Sequence, residues 1–268
     1  MAQRPVSLSY PTERLGTWLY EPVGSWMRVL RFAAITLVMA SSPATYDRTM
    51  RRVAARQIYL SAWQALPGFA LACVVVGFVL MRIIIGTAHE YGFSQYAVEL
   101  TVRWLVLELF PLLAALFVAL RSGAAICARV ALMHTHGELD AVGRPGSDAL
   151  RHCLVPRAIG SAVAVAALTA FGCALALGLA YEATYGLSPW GVGQFLRISG
   201  QVLGPVMVLG LALKTLLFGL AVAAIPITTA LSIPREPGFV PLALRRAMMR
   251  LALALVTLEI AFLGVMYA

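Results

Sequence analysis

Residues 108–148, ELFPLLAALFVALRSGAAICARVALMHTHGELDAVGRPGSD, decide the fold class. The run up to Met133 is apolar and long enough to cross a bilayer, which takes about 20 residues at about 1.5 Å rise each. Yet it carries Glu108 near its start and Arg121 further along. An ionisable group in a membrane helix costs about 2.5–3.5 kcal/mol on insertion scales, so it turns toward protein or water and is a functional candidate by default. Glu108 and Arg121 are 13 residues apart, about 20 Å along one helix, so each needs a partner elsewhere. After Met133 the apolar run stops. A polar piece follows with Glu138, Leu139, Asp140 and Val142, then the breaker Arg144-Pro145-Gly146, then Asp148. A short acidic and apolar piece between two spans suits docking onto another protein at the membrane surface.

The whole chain agrees with that start. Of its 268 residues, 60% are hydrophobic and 12% charged, with mean hydropathy +0.83, against about 25% charged in an ordinary soluble domain. This is the composition of an all-α integral membrane protein. The net charge of +9 does not indicate nucleic acid, because the basic residues sit between apolar runs and are not gathered on a soluble face. Lysine occurs once, at Lys214, and Leu213 precedes it, so a Gly-Lys-Ser/Thr phosphate loop is excluded. If ATP drives this protein, another subunit binds it. Cys73, Cys127, Cys153 and Cys173 show no paired spacing and read as small buried hydrophobes, with neither a disulfide framework nor a zinc site. The N-terminal residues, MAQRPVSLSYPTERLG, lack the apolar core of a cleavable signal peptide.

In chain order, residues 1–57 read as a cytoplasmic arm followed by an interfacial helix, and residues 58–268 as a five-span domain. The arm covers residues 1–23. The interfacial helix covers Gly24 to Ala40, where Arg28, Arg31, Trp26 and Phe32 suit the headgroup plane better than a crossing. Spans are expected at 58–85, 104–133, 156–181, 200–227 and 244–267, with Pro67 and Gly68 kinking the first. Gly123 and Ala124 are small enough to let another helix approach span 2 closely. Arginine placement orients the set. A cytoplasmic N-terminus puts eight arginines in the N-terminal region, five in residues 121–157 and four in residues 228–250 on the inside, against Arg82, Arg103 and Arg197 outside. The C-terminus is then extracytoplasmic. No internal repeat is apparent, and an odd span number suits half of a pathway completed by a second copy, a homodimer.

Three ionisable residues fall inside spans: Glu108, Lys214 and Glu259. They read as a polar lining for an amphipathic substrate, or as structural ion pairs and snorkelling side chains. Arg121 is placed near the cytoplasmic interface on the long second helix. His134, His136, His152 and Cys153 have no metal-ligand spacing of a known kind and are read as solvated loop residues. No nucleophile, base and acid grouping suggests hydrolysis, so the chain is not read as an enzyme.

The opening stretch resembles the MlaE/YrbE family of ABC-type lipid permeases. The likeness rests on Glu108, Leu109 and Pro111 of an E-L-x-P motif; Arg121, Gly123 and Ala124 of R-x-G-[SA]; Met133; Leu139, Asp140 and Ala141; Asp148; and Val155, Pro156 and Arg157. Arg56, Gln57 and Tyr59 resemble the start of the family's first span, Lys214, Thr215 and Phe218 its K-[ST]-x-x-F, and Glu259 stands where an Asp is common. The chain departs from the pattern at Leu107, where a basic residue is common, at Gly137, at Asp148-Ala149 in place of Asp-Pro, and at 237–246. The resemblance implies a bacterial inner-membrane homodimer with a periplasmic C-terminus that moves phospholipid between the inner membrane and the periplasm, serving outer-membrane asymmetry. It implies no cofactor in this chain: ATP and Mg belong to a partner ABC ATPase, often with a small STAS-domain protein, and an MCE-domain protein on the far side. Residues 134–150 would be the coupling helix between spans two and three, contacting the ATPase through Glu138, Leu139, Asp140, Val142 and Asp148. Glu108, Pro111, Arg121, Lys214 and Glu259 would mark the substrate pathway. The alternatives are a stand-alone ion-coupled transporter of an amphipathic substrate and a membrane scaffold without transport.

Overall fold

The computed structural model describes residues 11–41, 48–93, 96–137, 154–186, 188–234 and 237–267. Every regular element among them is helical. Five helices are long and apolar enough to cross a membrane: Arg52–Glu90, Ala97–Thr135, Val155–Tyr185, Pro205–Ala230 and Val240–Met266, named spans 1 to 5 below. Successive spans run in opposite directions, so one end of the bundle carries Arg52, Arg56, Arg129, Arg157 and Arg245; this is the arginine-rich end, and the other is the far end.

The structure differs from the sequence expectation mainly at boundaries. The N-terminal helix begins at Pro11 rather than Gly24 and runs to Ser41. Proline at a first helical position carries no penalty, since that N–H has no intrahelical partner anyway, so Pro11 starts a helix instead of marking an arm. Spans 1 and 2 are longer than a bilayer requires. Span 4 begins at Pro205 rather than Gly200, because the backbone at Gly204 is extended and breaks the helix there. Residues Val192–Val202, most of which fall between the expected third and fourth spans, form a separate amphipathic helix that buries Phe195, Ser199 and Val202. Phe195 meets Tyr181 and Tyr185 of span 3 edge-on, with ring centroids 5.4 and 6.4 Å apart, and Tyr181 Oη donates to the Ser188 carbonyl. Span 3 ends at Gly186, whose positive φ of 63° favours glycine.

The core is built from aromatic rings seated on glycines, as in membrane bundles where tight packing takes the place of a hydrophobic drive between helices. Phe69 of span 1 lies against Gly172 of span 3, and Phe110 of span 2 against Gly77 of span 1; a Cβ added at either glycine would come within 3.2 Å of the ring. Spans 3 and 4 approach closely at Gly219, where an added Cβ would lie 2.9 Å from Ala162 Cα. Gly123 faces Pro226, Leu251 and Met248, so this small position of span 2 seats spans 4 and 5. The N-terminal helix buries Phe32 and Thr36, and Thr36 Oγ1 donates back to the Phe32 carbonyl at 2.9 Å.

Three π-helical turns interrupt the spans: Tyr59–Trp63, Val102–Leu109 and Ala119–Gly123. Such turns commonly mark functional positions. The first precedes Pro67, which has no N–H for the carbonyl four residues back, so the helix is irregular just where its ladder is weakest. The first and third turns meet: Ser122 Oγ donates to Ser61 Oγ at 2.6 Å, and Gln57 Nε2 donates to the same oxygen at 3.0 Å. Ser122→Ala removes the first bond and leaves the second, so a loss of about 1 kcal/mol is expected. Thermal unfolding of the detergent-solubilised chain measures it, and an unchanged midpoint would show the contact to be energetically idle.

Candidate functional site

The second π turn carries the centre of the molecule. It contains Glu108, and Pro111 follows just after it. Pro111 has no N–H to offer the carbonyl four residues back, that of Leu107. Lys214 Nζ, from span 4, donates to that carbonyl at 3.2 Å. The same ammonium pairs with Glu108 Oε2 and with Glu259 Oε1 of span 5, the latter at 2.9 Å. All three N–H bonds of the lysine are therefore used, on three acceptors from two neighbouring spans. The Phe218 ring, one turn along span 4, lies 5.9 Å from Nζ.

Burial makes this cluster costly to disturb. Lys214 is 0%, Glu108 5% and Glu259 9% exposed. Two carboxylates face one amine, and Glu108 Oε1 and Glu259 Oε2 have no hydrogen-bond partner among the described residues. A buried ion cluster of this kind locks helix rotation, because each member must point at the others to be satisfied.

Two apolar grooves flank the cluster. One, of about 520 Å³, lies between the N-terminal helix and spans 3 and 4; its wall includes Leu211 and Thr215 beside Lys214. The other, of about 570 Å³, lies toward the far end between spans 1 and 2 and includes Leu105 and Leu109 around Glu108. None of the three charged side chains lines either groove.

Of the residues singled out from sequence, Glu108, Lys214 and Glu259 converge, and Pro111 is buried beside them. Arg121 stands apart at the arginine-rich end, exposed, with Nη2 donating to Gln64 Oε1 at 3.2 Å. Glu138, Leu139, Asp140, Val142 and Asp148, with His152 and Cys153, lie outside the described residues. No group of three His, Cys, Asp or Glu able to hold a metal gathers among the described residues. Cys73 and Cys127 are buried, and Cys173 Sγ lies 3.4 Å from the Val106 carbonyl. Sequence reasoning missed the Leu107 carbonyl and the bonds of Ser61, Gln57 and Gln64. The signal for the first was present, since a proline inside a span always leaves one carbonyl needing a donor.

A family model described as Permease MlaE matches residues 54–264, a stretch that takes in all but the edges of the five spans. Among curated proteins, the chain is similar to a probable ABC transporter permease protein of Rickettsia prowazekii (strain Madrid E), 27% identical over 176 residues, covering 63% of this chain and 66% of that protein. A similarly named protein of Rickettsia conorii (strain ATCC VR-613 / Malish 7) is 26% identical over 175 residues, again covering 63% and 66%. One of Rickettsia felis (strain ATCC VR-1525 / URRWXCal2) is 30% identical over 123 residues, covering 44% and 45%. The matched stretch thus spans just under two thirds of the length of the first two relatives.

Proposed function

This chain belongs to the MlaE permease family, and from that premise we propose that it is the non-catalytic membrane subunit of an ABC-type lipid transporter. The observation that carries the reading is the family match across 54–264, which takes in the whole Glu108, Lys214 and Glu259 cluster. The chemistry is consistent. The only lysine of the chain is consumed in a buried ion cluster, so ATP binding falls to a separate cytoplasmic ATPase with its Mg. Paired apolar grooves of about 520 and 570 Å³ suit acyl chains, and an amphipathic cargo such as phospholipid matches grooves with a polar cluster behind their walls. The ion cluster, tying spans 2, 4 and 5, makes those spans move as a unit when a partner presses on the arginine-rich end. Two copies, related by a two-fold axis, complete the pathway.

The arginine distribution supports placement in a bacterial inner membrane with the arginine-rich end and the N-terminus in the cytoplasm and the C-terminus in the periplasm. On that placement residues 134–150 couple to the ATPase, with an MCE-domain protein as far-side partner and a STAS-domain protein as a further cytoplasmic one. Reversing two charges in the coupling segment tests this. In a pull-down from membranes holding the ATPase, Glu138→Arg with Asp140→Arg is expected to cut its recovery by about tenfold, as like charges replace complementary ones; undiminished recovery removes the coupling assignment. Cargo moved by the purified chain alone in liposomes, down an ion gradient and with no ATPase, would overturn the reading in favour of a stand-alone transporter.

A further inference from the structure

At the arginine-rich end, spans 1, 2 and 3 enclose a polar cleft of about 370 Å³, separate from both apolar grooves. Arg121, Arg129 and Arg157 line it together with Gln57, Gln64 and Ser122, and among the described residues no carboxylate does. None of the three arginines is ion-paired among the described residues. Arg121 gives one N–H to Gln64 at 3.2 Å, and Arg157 Nη1 rests 3.6 Å from Met133 Sδ, a weak acceptor. Three like charges around so small a space repel one another, and an anion between them converts that repulsion to attraction. Arginine is the side chain best matched to phosphate, through two parallel N–H donors on one oxygen pair.

The cleft is built, not incidental. Its floor is the junction of two π turns, tied by the Ser122, Ser61 and Gln57 bonds. Span 3 presses on the same point, since a Cβ at Gly160 would stand 2.7 Å from Gln57 Cβ. Leu60 and Ile126 add an apolar wall, and Trp63 and Leu120 nearby are exposed, so the polar mouth adjoins surface suited to acyl chains. Arg129 stands six residues before the end of span 2 and Arg157 two residues after the start of span 3, so the cleft lies at the arginine-rich ends of the spans, where headgroups are met.

We propose that this cleft binds the phosphate of an anionic phospholipid drawn from the leaflet around the arginine-rich end. The phosphate sits among the three guanidinium groups, the glutamines donate to its outer oxygens or to the glycerol, and the acyl chains lie along Trp63 and Leu120. The site rests on the membrane-spanning fold alone and stands whether or not the chain transports lipid.

The test is native mass spectrometry of the full chain in detergent, titrated with phosphatidylglycerol. Arg129→Gln with Arg157→Gln is expected to weaken lipid binding by about tenfold or more. Arg245→Gln with Arg246→Gln, which removes equal charge from span 5 outside the cleft, is expected to change it less than about twofold. Inorganic phosphate at millimolar concentration is expected not to displace the lipid. Equal losses in the two double variants, or none in the first, overturn the site, and displacement by inorganic phosphate overturns the lipid assignment in favour of a free anion. A rise in lipid affinity in Glu138→Gln, Asp140→Asn, Asp148→Asn would show that the chain's own carboxylates fill the cleft, and also overturns it. Should the glutamine variant fail to fold, Arg129→Lys with Arg157→Lys keeps the charge and loses the paired donors; a loss of several-fold supports the proposal, and wild-type affinity overturns it.

Discussion

Lys214→Met is expected to cost about 3–5 kcal/mol and to be the most damaging single substitution in the chain. Methionine matches the lysine stem in length and fits the same channel, so packing is nearly conserved. What is lost is the ammonium, and with it the donor to Glu108, to Glu259 and to the Leu107 carbonyl. Two carboxylates would then face each other at 5% and 9% exposure with no cation between them, and the carbonyl freed by Pro111 would lose its donor. Like charges in a low-dielectric interior repel far more strongly than in water. The measurement is thermal unfolding in detergent, with the folded fraction read by size exclusion. A midpoint within a degree of wild type would mean that the cluster is not holding spans 2, 4 and 5 together. The triple variant Glu108→Gln, Lys214→Met, Glu259→Gln separates structure from function. Removing every charge relieves the uncompensated ones, so most of the stability is expected to return. If lipid movement is absent in that stable variant, the charges serve the pathway; if it matches wild type, they serve only the fold.

Gly219→Leu is expected to force spans 3 and 4 apart. An added Cβ at residue 219 alone would lie 2.9 Å from Ala162 Cα, 3.0 Å from its Cβ and 3.1 Å from its carbonyl oxygen. None of these atoms is the free end of a flexible side chain, so the relief must come from the backbone. Overpacking of this kind costs about 1–3 kcal/mol, and the leucine belongs at or above the top of that range. The effect reaches the site because Phe218 and Lys214 lie on the same turns of span 4. Gly178→Ala in span 3, where nothing lies within 4 Å of the new Cβ, is the control and is expected to be neutral or slightly stabilising. Ala162→Gly added to Gly219→Ala is expected to restore only part of the loss, since the contact with Ala162 Cα remains. Full restoration would show that the Cβ contact, and not the backbone approach, sets the spacing.

The three charged residues were legible as unusual from hydropathy alone, because a single Glu or Lys in an apolar run is conspicuous. That they belong to one cluster was not. Glu108 and Lys214 are 106 residues apart in the chain, and nothing local to either names the other. The residues Ser61, Gln57 and Gln64 carried less signal still. Small polar side chains are common in spans, and their importance comes from two π turns facing each other, a property of backbone register. In sequence Arg129 and Arg157 count only toward the charge on one side of a membrane, and Arg121 counts there and as a mark of the substrate pathway, whereas the fold gathers all three around one cleft. The N-terminal helix begins at Pro11, well before the expected Gly24, because the polar residues that read as an arm can continue a helix started at a proline.

Hydropathy, span length and the arrangement of arginines determine by themselves that this chain is a five-span helical membrane protein, because transfer of each segment into a bilayer is a sum over its own residues. Which faces of those spans meet is decided only by tertiary structure. Close approach at Gly219, Gly172 and Gly123 sets the rotation of each helix, and rotation alone determines whether Lys214 points at Glu108 and Glu259 or into lipid. Stability of a segment in the membrane is additive along the chain; the pairing of buried charges is not, since it depends on the relative placement of groups that the sequence holds far apart.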